Sequence, residues 1–100
     1  MSVEYQIVLY PFPLGHARYN RPCVVIDKNT NDLMAITTKR YDKFNFFVLR
    51  DDHPDFPATK LQATSYVIGA TIARADPAEM LRPVGVVSGQ LAKDFADWLG

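Results

Sequence analysis

Arg21-Pro22-Cys23-Val24-Val25-Ile26, followed after the polar turn Lys28-Asn29-Thr30-Asn31-Asp32 by Leu33-Met34-Ala35-Ile36-Thr37-Thr38, decides how this 100-residue chain folds. Pro22 has no amide hydrogen to give a ladder, so it belongs at the start of a strand. Cys23 to Ile26 is apolar at consecutive positions, the pattern of a strand covered on both faces, as in a barrel or a covered sheet. The polar turn reverses the chain, and Leu33 to Thr38 returns as the second arm of a hairpin. In an antiparallel pair, the start of the first strand lies beside the end of the second. Arg21 and a hydroxyl of Thr37 or Thr38 then share one rim. A permanent cation beside an alcohol on a rigid sheet edge suits the grip of a phosphodiester.

Outward from this hairpin, Tyr5 to Tyr10 is β-branched and aromatic and stops at Pro11, which predicts a first strand. Pro11, Pro13 and Gly15 make the stretch to Asn20 a loop; it carries His16 and Arg18. Phe44 to Leu49 reads as a strand, Asp51 to Pro57 as an irregular loop, and Tyr66 to Ala75 as a single strand bulged or bent at Gly69. Asp76-Pro77 starts a short helical turn, and Val84 to Val87 forms a last strand. Ser88 is the predicted cap of a terminal helix, Gly89 to Leu99. Within that helix Leu91, Phe95, Trp98 and Leu99 form one apolar stripe. Many short strands and one late amphipathic helix predict a mainly β chain. It should be a single domain over residues 1–100, a small barrel plugged or flanked by the helix.

Composition sets the boundaries. Formal charge is zero, but residues 1–50 carry seven Lys/Arg against four Asp/Glu, and residues 51–100 the reverse. A polyanionic partner can therefore meet only one face, although ordinary surface solvation accounts for the same numbers. The apolar runs are far too short to span a bilayer, so no membrane partner is expected. The N-terminal residues lack the basic lead and apolar core of a secretory signal. The lone Cys23 has no disulfide partner, which fits a reducing cytoplasm, and its place in an apolar strand reads as core. Asp51, Asp52, His53 and Asp55 match no calcium-loop spacing, and there is no zinc spacing, Gly-rich phosphate loop or nucleophile elbow. No metal or cofactor is expected.

The ordered set of Arg21-Pro22-Cys23-Val24-Val25-Ile26, Ile36-Thr37-Thr38-Lys39, the aromatic strand, Leu61-Gln62-Ala63-Thr64-Ser65-Tyr66-Val67 and Val84-Gly85-Val86-Val87-Ser88 resembles the MazF/PemK family of toxins. These are the ribonuclease halves of toxin–antitoxin pairs. The resemblance runs over roughly residues 5–99. It implies an SH3-like barrel, a homodimer, a cytoplasmic setting, and metal-independent, sequence-specific cleavage of single-stranded RNA to a cyclic phosphate and a 5′-hydroxyl. It also implies neutralisation by an antitoxin. The family's catalytic arginine falls on Arg21 and its catalytic threonine on Thr37; Thr38 and Ser65 match groove positions. Glu4-Tyr5-Gln6 stands where the family commonly has Gly-Asp or Gly-Glu, Thr64 stands where a charged or polar partner is often found, and Asp51 to Lys60 has no counterpart.

Arg21 would neutralise charge developing on the scissile phosphate; with a pKa above 12 it is a poor general base. Its alternative is a surface ion pair with Asp27 or Asp42. Thr37 would donate to a non-bridging oxygen, although threonine is also an ordinary strand residue. His16 is a more conventional acid or base, or else a solvated loop residue. Arg18, Lys39 and their basic neighbours, interleaved with Phe12, Tyr19, Tyr41 and Phe44, suit unpaired bases, and such aromatics equally fill barrel cores. Two alternatives stand beside the nuclease. One is the same barrel as a weak or inactive binding module. The other is a gyrase poison of the related CcdB type, acting through Trp98-Leu99-Gly100; against it, Trp98 completes the helix's apolar stripe.

Overall fold

In the computed structural model, Pro22 sits second in the strand Arg21–Asp27, and Leu33 follows Asp32 into the strand Asp32–Thr37. In chain order the strands are β1 (Tyr5–Tyr10), β2 (Arg21–Asp27), β3 (Asp32–Thr37), β4 (Phe46–Leu49), β5 (Ser65–Ile68), β6 (Ala73–Arg74) and β7 (Pro83–Val87). A 3-10 turn, Pro57–Thr59, precedes β5, and the helix α1 (Gly89–Leu99) follows β7. The structure describes residues 3–12, 20–40, 45–69, 72–79 and 83–100. The expectations placed on His16, Arg18, Tyr19, Tyr41, Asp42, Lys43 and Phe44 lie outside them.

The strands form one antiparallel sheet in the order β4-β5-β3-β2-β1-β7, with β6 also pairing β3. This is the mainly β, barrel-like sheet with a C-terminal helix that the strand pattern predicts. The β2–β3 hairpin pairs Cys23 with Ala35, Val24 with Met34 and Val25 with Leu33. Asn31 sits in the turn at φ 62°, a left-handed conformation that asparagine tolerates better than most residues.

Alternation along the strands gives two apolar faces. One holds Ile7, Val24, Met34, Ile36, Leu49 and Val67, and α1 covers it with Leu91, Ala92 and Phe95. The other holds Val8, Tyr10, Cys23, Val25, Leu33 and Ala35, with Phe12 and Ala75 packed against them. That is why residues 23 to 26 are apolar in succession: each side is buried. Cys23 is part of the second cluster. Burial pushes its thiol up to about 12, against a smaller lowering effect from Arg21.

Two local expectations are corrected. Tyr66 to Ala75 is not one strand. β5 ends at Ile68, and β6 pairs with the opposite half of β3 from the half that β5 uses. The break falls at Gly69, the expected place of a bulge or bend, where a Cβ would stand 2.8 Å from the Trp98 ring. Ser88 has an extended N-cap backbone but makes no side-chain cap bond. The cap comes from Asp55, whose Oδ2 accepts from the Gln90 amide at 2.9 Å and the Leu91 amide at 3.3 Å. Asp76 caps the short turn expected there: its Oδ1 accepts from the Ala78 amide and its carbonyl from the Glu79 amide. Among the described residues no helix is long and apolar enough to cross a membrane.

Candidate functional site

Four strand ends meet at one end of the sheet: β1 finishes, β2 begins, β3 finishes and β5 begins. A cleft of about 570 Å³ opens there. Arg21, Thr37, Thr38 and Ser65 all line it. Leu9, Pro22 and Ile36 supply apolar lining from the face that α1 packs against; Arg21 and Thr37 alternate with them and so point to the other face. The cleft sits at the strand ends, where both sets reach it.

The register explains why arginine and threonine come together. Arg21 is the Cα partner of Tyr10 on β1. The β2–β3 pairing, carried two residues beyond Cys23–Ala35, sets Arg21 across from Thr37. Thr37 in turn is the partner of Tyr66 on β5, and Tyr66 the partner of Val48 on β4. Tyr10, Arg21, Thr37, Tyr66 and Val48 thus form one row across five strands. Directly opposed side chains in such a row stand about 5 Å apart. The expected shared rim is therefore present in the geometry, and Arg21 does not pair with Asp27, which lies at the far end of β2 and accepts from the Asn29 amide.

Arg21 is only 8% exposed. Cys23, two residues on along the same face, donates its Sγ–H to the Arg21 backbone carbonyl at 3.4 Å. Thr37 Oγ1 accepts from the Lys39 amide at 3.1 Å, which leaves its own proton for an incoming oxygen. Ser65 differs: it is buried, and its hydroxyl donates to the Ala63 carbonyl at 2.8 Å, so it holds the wall and does not offer a donor. Lys39 is exposed and does not line the cleft.

The opposite wall was not expected from the sequence. Residues 59–63 cross over β7, bringing Lys60 and Gln62 to the cleft, with Asn20 at the start of β2. Thr59 is fully buried and staples this wall: its hydroxyl donates to the Phe56 carbonyl at 2.6 Å and accepts from the Leu61 amide at 3.2 Å. Lys60 takes a left-handed backbone, φ 61°, at the end of the 3-10 turn. The wall sits against Gly85, where a Cβ would fall 2.0 Å from the Thr59 carbonyl oxygen. A glycine inside a short strand is the one sequence signal that could have announced this approach.

The Asp51–Asp55 loop has structural duties. Asp52 pairs with Arg50 at 3.0 Å, the Asp51 amide donates to Thr64 Oγ1, and Asp55 caps α1. Among the described residues no three potential metal-binding side chains cluster. Trp98 lies against Phe95, ring centroids 5.7 Å apart, and against Phe47 at 5.8 Å, with its Nε1 donating to Asn45 Oδ1 at 3.4 Å. No protein-family model, curated protein or solved structure matches this chain.

Proposed function

We propose that this protein cleaves single-stranded RNA without a metal, at the cleft where Arg21 and Thr37 meet. The observation that carries the reading is the cross-strand row that sets Arg21 opposite Thr37 at the lip of one cleft, with the Thr37 hydroxyl proton left to donate. The scissile phosphate docks against both. The 2′-hydroxyl oxygen attacks the adjacent phosphorus and the P–O5′ bond breaks, leaving a 2′,3′-cyclic phosphate and a 5′-hydroxyl. The 2′-hydroxyl proton passes to water, and the departing O5′ takes one up. Arg21 acts electrostatically, opposing the charge that builds on the non-bridging oxygens, and Thr37 donates a hydrogen bond to one of them. Lys60, on the facing wall, adds a second cation to the groove that carries the backbone. The resemblance to MazF/PemK toxins extends the proposal to a homodimer restrained by an antitoxin that competes for this groove.

One observation favours a second reading, a binding module that cuts slowly or not at all. Among the described residues that line the cleft, Arg21 and Lys60 are the only ionisable ones, so no carboxylate or imidazole takes the 2′-hydroxyl proton there. A single experiment separates the two. The protein is incubated with a long single-stranded RNA in chelator and the new ends are mapped. Arg21→Gln should lower the cleavage rate about 10²- to 10³-fold, as loss of a donor to developing charge does. Thr37→Val should lower it about tenfold to a hundredfold. Cleavage unchanged in Arg21→Gln overturns this active site. RNA bound but never cut by the parent protein selects the binding module.

A further inference from the structure

Beyond Thr37 the row does not end. On the same face, Tyr66 and Val48 follow on β5 and β4, and Phe46 lies two residues from Val48 along β4. The Phe46 and Tyr66 rings meet edge to face, centroids 5.4 Å apart and planes at 87°. The Arg40 guanidinium lies 5.1 Å from the Phe46 ring centre. Arg50 lines the same depression, a second concavity of about 320 Å³ that Arg40, Phe46, Val48 and Tyr66 also line. Neither aromatic ring belongs to a core cluster; both are half-exposed, whereas Phe47, equally half-buried, packs against the core on the α1 side.

We infer that this surface is a stacking subsite for a base of the single-stranded RNA, next to the phosphate held at Arg21 and Thr37. The inference rests on the nuclease reading for the identity of the strand, and on the sheet geometry for the site itself. Strand spacing is about 4.8 Å and the rise about 3.3 Å per residue, so from Thr37 on β3 across β5 to Val48 on β4 is about 10 Å, and to Phe46, two residues further along β4, about 12 Å. An extended single strand leaving the cleft along the row meets Tyr66 first and then the Phe46–Arg40 pair. Aromatic rings accept any base by its π-face, and arginines beside them take the flanking phosphates. Arg50 is 70% exposed and forked onto Asp52 by two bonds of 3.1 and 3.0 Å, so a phosphate reaches it only in competition with that carboxylate. Asp51 also borders this depression and opposes a second phosphate at that end, which limits the subsite to a base and one flanking charge. The two concavities share the β3–β5 pairing as a common border, since Thr37 lines the first and its partner Tyr66 the second.

The test separates stacking from cutting. The probe is a 2′-deoxy single strand, which lacks the attacking hydroxyl and cannot be cleaved by the proposed route, with 2-aminopurine at successive positions. Binding to the parent protein should quench the fluorophore at one or two adjacent positions. Tyr66→Phe should keep the quenching. Tyr66→Leu and Phe46→Leu, which keep apolar bulk but lose the ring, should abolish it and weaken binding about fivefold to a hundredfold, the loss of one stacked base. Urea melts followed by Trp98 fluorescence check that each variant folds. Quenching that survives in both leucine variants overturns the subsite, as does failure of the parent protein to bind the strand. Ring-dependent quenching together with intact RNA in the cleavage assay would retain the subsite and remove the nuclease.

Discussion

Removing the Asp55 carboxylate should unfasten α1 from the sheet. Asp55→Ala deletes the acceptor of two amide bonds at the helix start, to Gln90 at 2.9 Å and Leu91 at 3.3 Å. Loss of a side-chain cap costs about 0.5–2 kcal/mol, and a carboxylate at a helix N-terminus contributes about 0.3–1 kcal/mol through the dipole. The Leu91 bond is long and the Gln90 amide is exposed, so the sum belongs near 2 kcal/mol and not at the 3 kcal/mol limit. For a domain of this size that lowers Tm by about 8–16 °C. Asp55→Asn keeps an acceptor oxygen and loses only the charge, so it should cost about 1 kcal/mol or less. Ser88→Ala is the control: Ser88 holds the N-cap position without a side-chain cap bond, and its loss should cost under about 0.5 kcal/mol. Urea denaturation followed by far-UV circular dichroism and by Trp98 fluorescence reads all three. The tryptophan reports directly, because α1 holds it against Phe47 and Phe95. An Asp55→Ala protein within 0.5 kcal/mol of the parent, or a Ser88→Ala protein that loses as much, would refute a cap delivered from the 51–57 loop.

Gly85→Ala should destabilise the fold by about 3 kcal/mol or more, the upper end for overpacking, because the new methyl meets backbone that cannot rotate away. In molecules that do fold, it should displace the wall bearing Lys60 and Gln62, so RNA binding should weaken more than the melting shift alone explains. Cys23 should resist alkylation in the native protein and react on unfolding. Its native pKa lies above the ordinary 9.0, so the unfolded chain ionises first: the thiol's contribution to stability is complete below pH 9 and disappears as pH rises toward about 12, and Cys23→Ala should flatten that alkaline slope in urea melts. The Asp32 carboxyl is held below its ordinary 3.8 by its hydrogen bond from Arg74 at 3.1 Å. Its contribution is present above pH 3.8 and lost as pH falls through the lower native value, so Asp32→Asn should soften acid unfolding; an unchanged acid limb would contradict it.

The β2–β3 hairpin was legible because every signal there is local. Pro22 opens a strand for want of a donor, the polar turn has an asparagine where the backbone is left-handed, and apolar residues occupy both sides of a doubly covered strand. The C-terminal helix was legible for the same reason: Leu91 and Phe95 recur at helical spacing and are the residues it buries. What periodicity cannot report is which distant segment comes to lie against a face. Ser88 and Asp55 are equally good caps by composition, and only the fold brings the 51–57 loop to the helix start. Gly69 signalled an irregularity within Tyr66 to Ala75, but not that it lies against Trp98 or that the segment divides there into two strands on different halves of β3. The wall of residues 59–63 depends on its contact with Gly85, twenty-six positions from Thr59, and on no pattern within itself.

The pairing of Arg21 with Thr37 lies between these cases. It follows from two local strand assignments plus one number, the register of the hairpin. In a sheet, a slip of one residue sends every side chain of a strand to the opposite face. Had the turn been one residue longer or shorter on one arm, Arg21 would stand across from Ile36 or Thr38, and the hydroxyl of Thr37 would face away from the guanidinium. The register that does form is held by apolar residues from both arms on both faces: Val24 and Met34 on one, Cys23, Val25, Leu33 and Ala35 on the other. A slip would not bury a polar residue in place of an apolar one here, since both faces are apolar; it would misfit volumes, and it would shift the left-handed turn residue Asn31 to a neighbour. The turn closes on the Asp27–Asp32 pair, which continued alone would set Arg21 across from Thr38; the register shift between Val25 and Asp27 moves the alignment by one residue and sets Arg21 across from Thr37, so turn and bulge together select the alignment on which the candidate site depends. The same register carries the row onward to Tyr66 and Val48, so the turn and the irregularity at Ile26 position both the phosphate grip and the aromatic surface beside it.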